Sequence, residues 1–228
     1  MQGGMNMGKL KIKDPGSAIT HFIAMIMAVF AAVPLLHRAL GEPDLIHVIA
    51  LGIFIVTMIL LYAASTTYHT VNSTPRINKI LKKLDHCMIS VMIAGSYTPV
   101  CLIVLHNRTG YLLLSVVWLV AFFGILLKLC WINCPKWVSS ILYIVMGWAC
   151  LLAFPQIIHA LPKAAFAWLL AGGLIYTAGG IIYALKVRRF NEKHRMFGTH
   201  EIFHLFVMGG SICHFIVMFQ YVSAMPIA

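Results

Sequence analysis

The chain is 228 residues long, 61% hydrophobic and only 10% charged, and its 17 Lys and Arg against 6 Asp and Glu give a formal net charge of +11. That balance excludes a water-soluble domain and leaves an integral membrane protein. Loops facing anionic lipid account for the basic excess, so no nucleic-acid partner is called for.

Seven apolar stretches are marked off by charges, glycines and prolines, at about 17–37, 45–68, 84–105, 110–129, 137–155, 164–185 and 200–222. Each is close to the roughly 20 residues a helix needs to cross the hydrocarbon core. The expectation is an all-α bundle of seven transmembrane helices forming one domain over 1–228. Lys9, Lys11 and Lys13 precede the first stretch as in a signal peptide. Its apolar run is too long for one and no small-residue cleavage site stands out, so it reads as a retained span. Asp14-Pro15 and Pro43-Asp44 read as helix starts, supplying a capping carboxylate or a proline that loses no needed hydrogen bond. Pro99, inside the third stretch, removes a backbone hydrogen bond and predicts a kink.

The basic residues set an orientation. One side receives Lys9, Lys11, Lys13, Arg76, Lys79, Lys82, Lys83, Lys128, Lys136, Lys186, Arg188, Arg189, Lys193 and Arg195; the other receives only Arg38, Arg108 and Lys163. The positive-inside rule then puts the N-terminus in the cytoplasm and the C-terminus outside, in the cytoplasmic membrane. Most of the six cysteines fall within spans and read as small apolar packing groups rather than a disulfide framework. Cys130 and Cys134, at helical spacing beside an inner loop, offer a metal pair in principle. No feature sets an oligomeric state.

Only Asp85 and Glu201 among the acids enter apolar stretches, and an ionisable residue inside a membrane span is a functional candidate by default. A structural ion pair of Asp85 with Lys82 or Lys83 is the competing reading. Of the 11 histidines, His37, His47, His106 and His159 map to the outer boundary, where an amphipathic ring sits comfortably, and His194 to an inner loop. His21, His69, His86, His200, His204 and His214 remain. His69 lies at the inner end of the second span, and Asp85, His86, His200 and His204 at the inner beginnings of the third and seventh. At about 1.5 Å per residue His204 is only about 6 Å deeper than His200, so these groups share one layer. His200 and His204 stand i, i+4 on one helix face, as do Ser65 and His69. Three imidazoles with an open fourth position form the ligand set of a catalytic zinc site, and a hydrogen-bonded polar cluster without metal is the alternative.

His200-Glu201-Ile202-Phe203-His204 is formally H-E-x-x-H, the signature of a zinc protease whose glutamate is the base. The flanks argue against that class: Val207 and Gly210 stand where the extended motif needs Gly and His, and no Asp or Glu follows residue 201. A retinal-type pigment would need a lysine in the last span, and there is none. A G-protein-coupled receptor would have its N-terminus outside. A two-haem bundle would need partners for His200 and His214 that His69 and His86 do not supply.

Ser65-x-x-x-His69, Leu84-Asp85-His86, Ala94-Gly95-Ser96-Tyr97-Thr98-Pro99, His200-Glu201-Ile202-Phe203-His204 and Gly210-Ser211-Ile212-Cys213-His214-Phe215 together resemble the haemolysin III proteins. These form the bacterial branch of the progestin and adiponectin receptor (PAQR) family, which also has seven spans and a cytoplasmic N-terminus. The resemblance covers nearly the whole chain. It implies a Zn2+ ion held by His69, His200 and His204 near the inner leaflet. It also implies Asp85 close to the zinc water as general base, and Ser65 one turn deeper as a donor to the developing oxyanion. The wider superfamily, which includes alkaline ceramidases, resembles metal-dependent lipid amide hydrolases. The implied partner is therefore membrane lipid, or a lipid-like small-molecule substrate with an amide or ester bond, and the implied role is membrane lipid homeostasis. A non-enzymatic zinc-stabilised membrane regulator is the alternative. Cytolysis, which the family name implies, has no evident secretion or pore-forming feature behind it. The short N-terminal tail and a C-terminus ending with the last span speak against the hormone binding of the animal receptors. Glu201, about 100° around the helix from His200, is expected to pair with Lys193 or Arg195 or to cap the helix start. His214 is expected in an interhelical hydrogen bond, and His86 pointing away from Asp85.

Overall fold

The computed structural model describes residues 12–185 and 197–227, and every regular element among them is helical. Among the described residues seven helices are long and apolar enough to cross a membrane: α1 (Pro15–Ala39), α2 (Leu45–Thr70), α3 (Pro75–Leu105), α4 (Arg108–Cys130), α5 (Lys136–Ala160), α6 (Lys163–Leu185) and α7 (Thr199–Val222). Lys9, Lys11 and the segment 186–196, with the basic residues, Glu192 and His194 assigned there, lie outside the described residues.

The apolar stretches locate the spans, but α3 starts well before its apolar run. Pro75 takes the first helical turn, where its missing N–H costs nothing, and the Thr74 hydroxyl accepts from the Ile77 N–H at 3.4 Å. A basic first stretch with Arg76, Lys79, Lys82 and Lys83 therefore precedes the apolar part. Asp14 and Asp44 do occupy the N-cap positions of α1 and α2, but neither side chain makes a cap hydrogen bond. The Asp14 carboxylate is used elsewhere, as described below.

Helices neighbouring in sequence pack side by side, and α7 packs back against α1 to close a ring. In α1 the buried residues Ser17, His21, Ala24, Ala28 and Leu35 recur every three or four positions or multiples of that spacing, while Phe30 and Val33 face outward. The tightest seam joins α6 to α7. A Cβ at Gly172 would stand 2.4 Å from His214, one at Gly179 2.7 Å from Phe206, and one at Gly210 2.7 Å from Tyr176. Bare backbone at these positions lets the helices approach.

Two spans are locally rewound. Immediately after Pro99, α3 passes into a π-helical segment, Val100–Leu105, because the proline has no N–H for the α ladder. In α5 a 3₁₀ segment, Trp148–Ala153, separates two α-helical parts. The Tyr97 hydroxyl stabilises that break, donating to the Gly147 carbonyl at 2.6 Å and accepting from the Cys150 N–H at 2.9 Å.

Candidate metal centre

The starts of α1, α3 and α7 meet the end of α2 at one end of the bundle. His69 stands one residue before the end of α2, and its Nδ1 donates to the Asp14 carboxylate at 2.9 Å. The Asp14 N–H in turn donates to the His69 carbonyl at 2.9 Å. That reciprocal pair straps the N-terminal segment across the end of α2, and Lys13 adds to it by lying over the Tyr68 ring. With Nδ1 protonated, Nε2 of His69 carries the lone pair and faces Nε2 of His200 at 3.2 Å. His204 of α7 faces Thr20 of α1, whose hydroxyl already donates to backbone carbonyls of its own helix, so it accepts from Nδ1 of His204 at 3.3 Å. This directs the lone pair of His204 to Nε2 as well.

His69, His200 and His204 each offer a ligand nitrogen within 4.8 Å of the others. Two nitrogens on a tetrahedral zinc, each bonded at about 2.0–2.1 Å, lie roughly 3.3 Å apart, close to the His69–His200 separation. Lone pairs facing one another at that distance repel unless a proton or cation stands between them. The donor set, its spacing and its outer partners Asp14 and Thr20 fit a metal ion.

Asp85 and Ser65 reach the same place from α3 and α2. Both are buried, and they line one cavity together with His200 and His204. The Ser65 hydroxyl has no hydrogen-bond partner among the described residues. Asp85 makes no ion pair with Lys82 or Lys83; its Oδ2 lies 3.2 Å from Nδ1 of His86. His86 therefore turns toward Asp85 instead of away from it, and its Nε2 lies 3.5 Å from the Tyr183 hydroxyl.

Glu201 caps the start of α7. One of its oxygens accepts from the Gly198 N–H at 2.8 Å and the other from the Ser17 hydroxyl at 2.6 Å. A pairing with Lys193 or Arg195 lies outside the described residues. Among the described residues His214 makes no interhelical hydrogen bond: both nitrogens are buried without partners there, and the ring stands edge-on to Tyr176 at 5.3 Å.

Three participants were not expected from the sequence. Asp14 and Thr20 orient two of the imidazoles. His21 stacks face to face on His204, with centroids 3.6 Å apart and planes 6° from parallel, and lines the cavity. A signal was present: His21 stands four residues into its apolar stretch, as His204 does into its own, and so shares its depth.

The cavity has a volume of about 180 Å³ and runs along α7 from His200 to His214, a rise of about 20 Å. Asp85, Ser65, His200 and His204 line one end of it, while Tyr97, Tyr176, Thr177 and His214 contribute polar groups further along. Elsewhere the walls are mostly apolar and include Met92, Val100, Phe166 and Val207.

A bundle of seven membrane-crossing helices with three convergent imidazoles at one end defines a multi-pass integral membrane protein with a candidate metal centre. The chain belongs to the haemolysin-III related family, whose family model matches residues 10–215. It is 35% identical over 210 residues to Hemolysin-3 of Bacillus cereus, covering 92% of each chain. It is 34% identical over 214 residues to the Hemolysin-3 homolog of Bacillus subtilis (strain 168), covering 94% of this chain and 96% of that one. A more distant similarity, 26% over 231 residues, covers 89% of this chain and 49% of the Adiponectin receptor protein of Drosophila melanogaster, which relates the chain to the PAQR receptors.

Proposed function

We propose that this chain is a zinc-dependent membrane hydrolase that cleaves an amide or ester bond of a lipid-like substrate and serves membrane lipid homeostasis. The observation that carries the reading is the placement of three imidazole nitrogens, within 4.8 Å of one another, beside a mostly apolar cavity that Asp85 and Ser65 also line. His69, His200 and His204 would hold the ion, and the basic end of the bundle would face the cytoplasm of a cell membrane. A zinc ion supplies Lewis acidity that activates water and polarises a carbonyl.

The protein's own groups divide the remaining work. Asp85, whose Oδ2 lies 3.2 Å from Nδ1 of His86, accepts the proton of the attacking water at its carboxylate and returns it to the departing amine or alkoxide. Ser65 donates its unpartnered hydroxyl to the carbonyl oxygen as negative charge develops there. The apolar walls hold the hydrocarbon part and exclude bulk water, which strengthens both interactions.

A purely structural use of the metal, stapling α2 to α7 as part of a membrane regulator, is favoured by the strap from Asp14 and separates cleanly in experiment. Purified wild-type protein is expected to carry one zinc by elemental mass spectrometry, and His69→Ala, His200→Ala and His204→Ala to lose it. Asp85→Asn is expected to retain zinc and lose turnover on a panel of lipid amides and esters. One zinc retained in all three histidine variants would overturn the site; zinc binding without turnover on any panel member would favour the staple.

A further inference from the structure

Apart from the histidine cluster, the end of the bundle where α4 finishes and α5 begins contains a second group of chemically active side chains. Lys128, in the last turn of α4, is 1% exposed. Its ammonium donates to Sγ of Cys134 at 3.1 Å and to the Ser139 hydroxyl, and Sγ lies 3.4 Å from that same hydroxyl. No carboxylate among the described residues lies within ion-pair distance of Lys128. A buried ammonium left without a counter-charge is costly, and the thiol of Cys134 is the group in contact with it that can supply one by losing its proton.

The surroundings favour that transfer. Burial raises the proton affinity of Cys134. Hydrogen bonds with Ser139 and Lys128, and the positive charges of Lys128 and of Lys82 on α3, outweigh burial and hold the thiol below the ordinary cysteine value. The other titratable groups facing it are the hydroxyls of Tyr143 on α5 and Tyr183 on α6. The neighbouring ammonium also argues against Cys130 and Cys134 as a metal pair, because a cation at Cys134 would be repelled.

We propose that Cys134 is a redox-sensitive thiolate, held by Lys128 and Ser139 and oxidised by small hydroperoxides. In the step, sulfur attacks one peroxide oxygen, an S–O bond forms and the O–O bond breaks. Sulfur loses two electrons, the peroxide gains them, and the departing hydroxide or alkoxide takes its proton from the Lys128 ammonium. The product is a sulfenic acid, reversible by thiols. Cys134 is itself buried, 8% exposed, but it sits in the five-residue connection Trp131–Pro135 between the exposed residues Asn133 and Pro135.

The test uses full-length protein in lipid nanodiscs, alkylated with iodoacetamide across pH 5.5–9.5 and resolved cysteine by cysteine by mass spectrometry. At neutral pH, Cys134 is expected to reach a severalfold greater fraction of its own plateau rate in the native protein than after denaturation. Lys128→Met should abolish that difference, and hydrogen peroxide followed by dimedone should label Cys134. The proposal is overturned if native and denatured wild-type protein give the same pH profile at Cys134, which decides the matter even if Lys128→Met does not fold. It is likewise overturned if no dimedone adduct forms there, or if folded Lys128→Met keeps the wild-type profile.

Discussion

Replacing Asp14 with Asn isolates the part of the metal centre that lies outside the spans. Asparagine keeps the size of the side chain and an acceptor oxygen toward Nδ1 of His69, now 2.9 Å away, but removes the charge. The backbone strap from the Asp14 N–H to the His69 carbonyl is untouched, so the segment stays in place. Loss of a carboxylate behind a ligating histidine ordinarily weakens metal binding by about 10–100-fold. Here the Asp14 side chain is 42% exposed, so water already screens much of its field. The expected loss is therefore about tenfold, or about 1.4 kcal/mol. Competition against a chelator of known affinity, with bound zinc counted by mass spectrometry, measures it, and thermal unfolding of the metal-free protein checks that the fold is unchanged. A dissociation constant within twofold of wild type, in a protein that unfolds normally, would refute the role given to Asp14.

Gly172→Ala places a methyl 2.4 Å from the His214 ring and 3.1 Å from the Cys213 Cβ, and should destabilise the α6–α7 seam by about 1–3 kcal/mol. Gly173→Ala, the next residue on the same helix, meets nothing within 4 Å and should leave stability unchanged or raise it by up to about 1 kcal/mol. Equal melting temperatures for the two variants in detergent would contradict the packing described. Glu201→Gln keeps an acceptor for the Gly198 N–H, so zinc content and turnover should persist; a fall in turnover of about 100-fold or more at full zinc content would restore Glu201 as a general base.

The positions of the seven spans were legible in the sequence because lipid imposes a length and a composition that few other environments do. The extent of α3 was less so, since apolarity reports where the membrane is and not where the helix begins. His69, His200 and His204 were brought to attention by depth and by the i, i+4 face, both properties of a single helix. Asp14 was misread because an acid before a proline at a helix start fits a cap equally well, and only the tertiary approach of α2 decides between the two uses. His86 and His214 were misjudged for the same reason. Which way an imidazole turns depends on neighbours far away in sequence, such as Tyr183 for His86, or Gly172 and Tyr176 for His214. Cys134 read as an apolar filler because nothing local announces that Lys128 folds back onto it.

The closure of α7 against α1 has a consequence for biosynthesis. His69 leaves the ribosome with the second span, and His200 follows 131 positions later with the last. A chain arrested before α7 can form the Asp14–His69 strap but offers only one of the three imidazoles. In the proposed reading, metal capture is then the final event of synthesis, and the ion marks a finished protein apart from a truncated one.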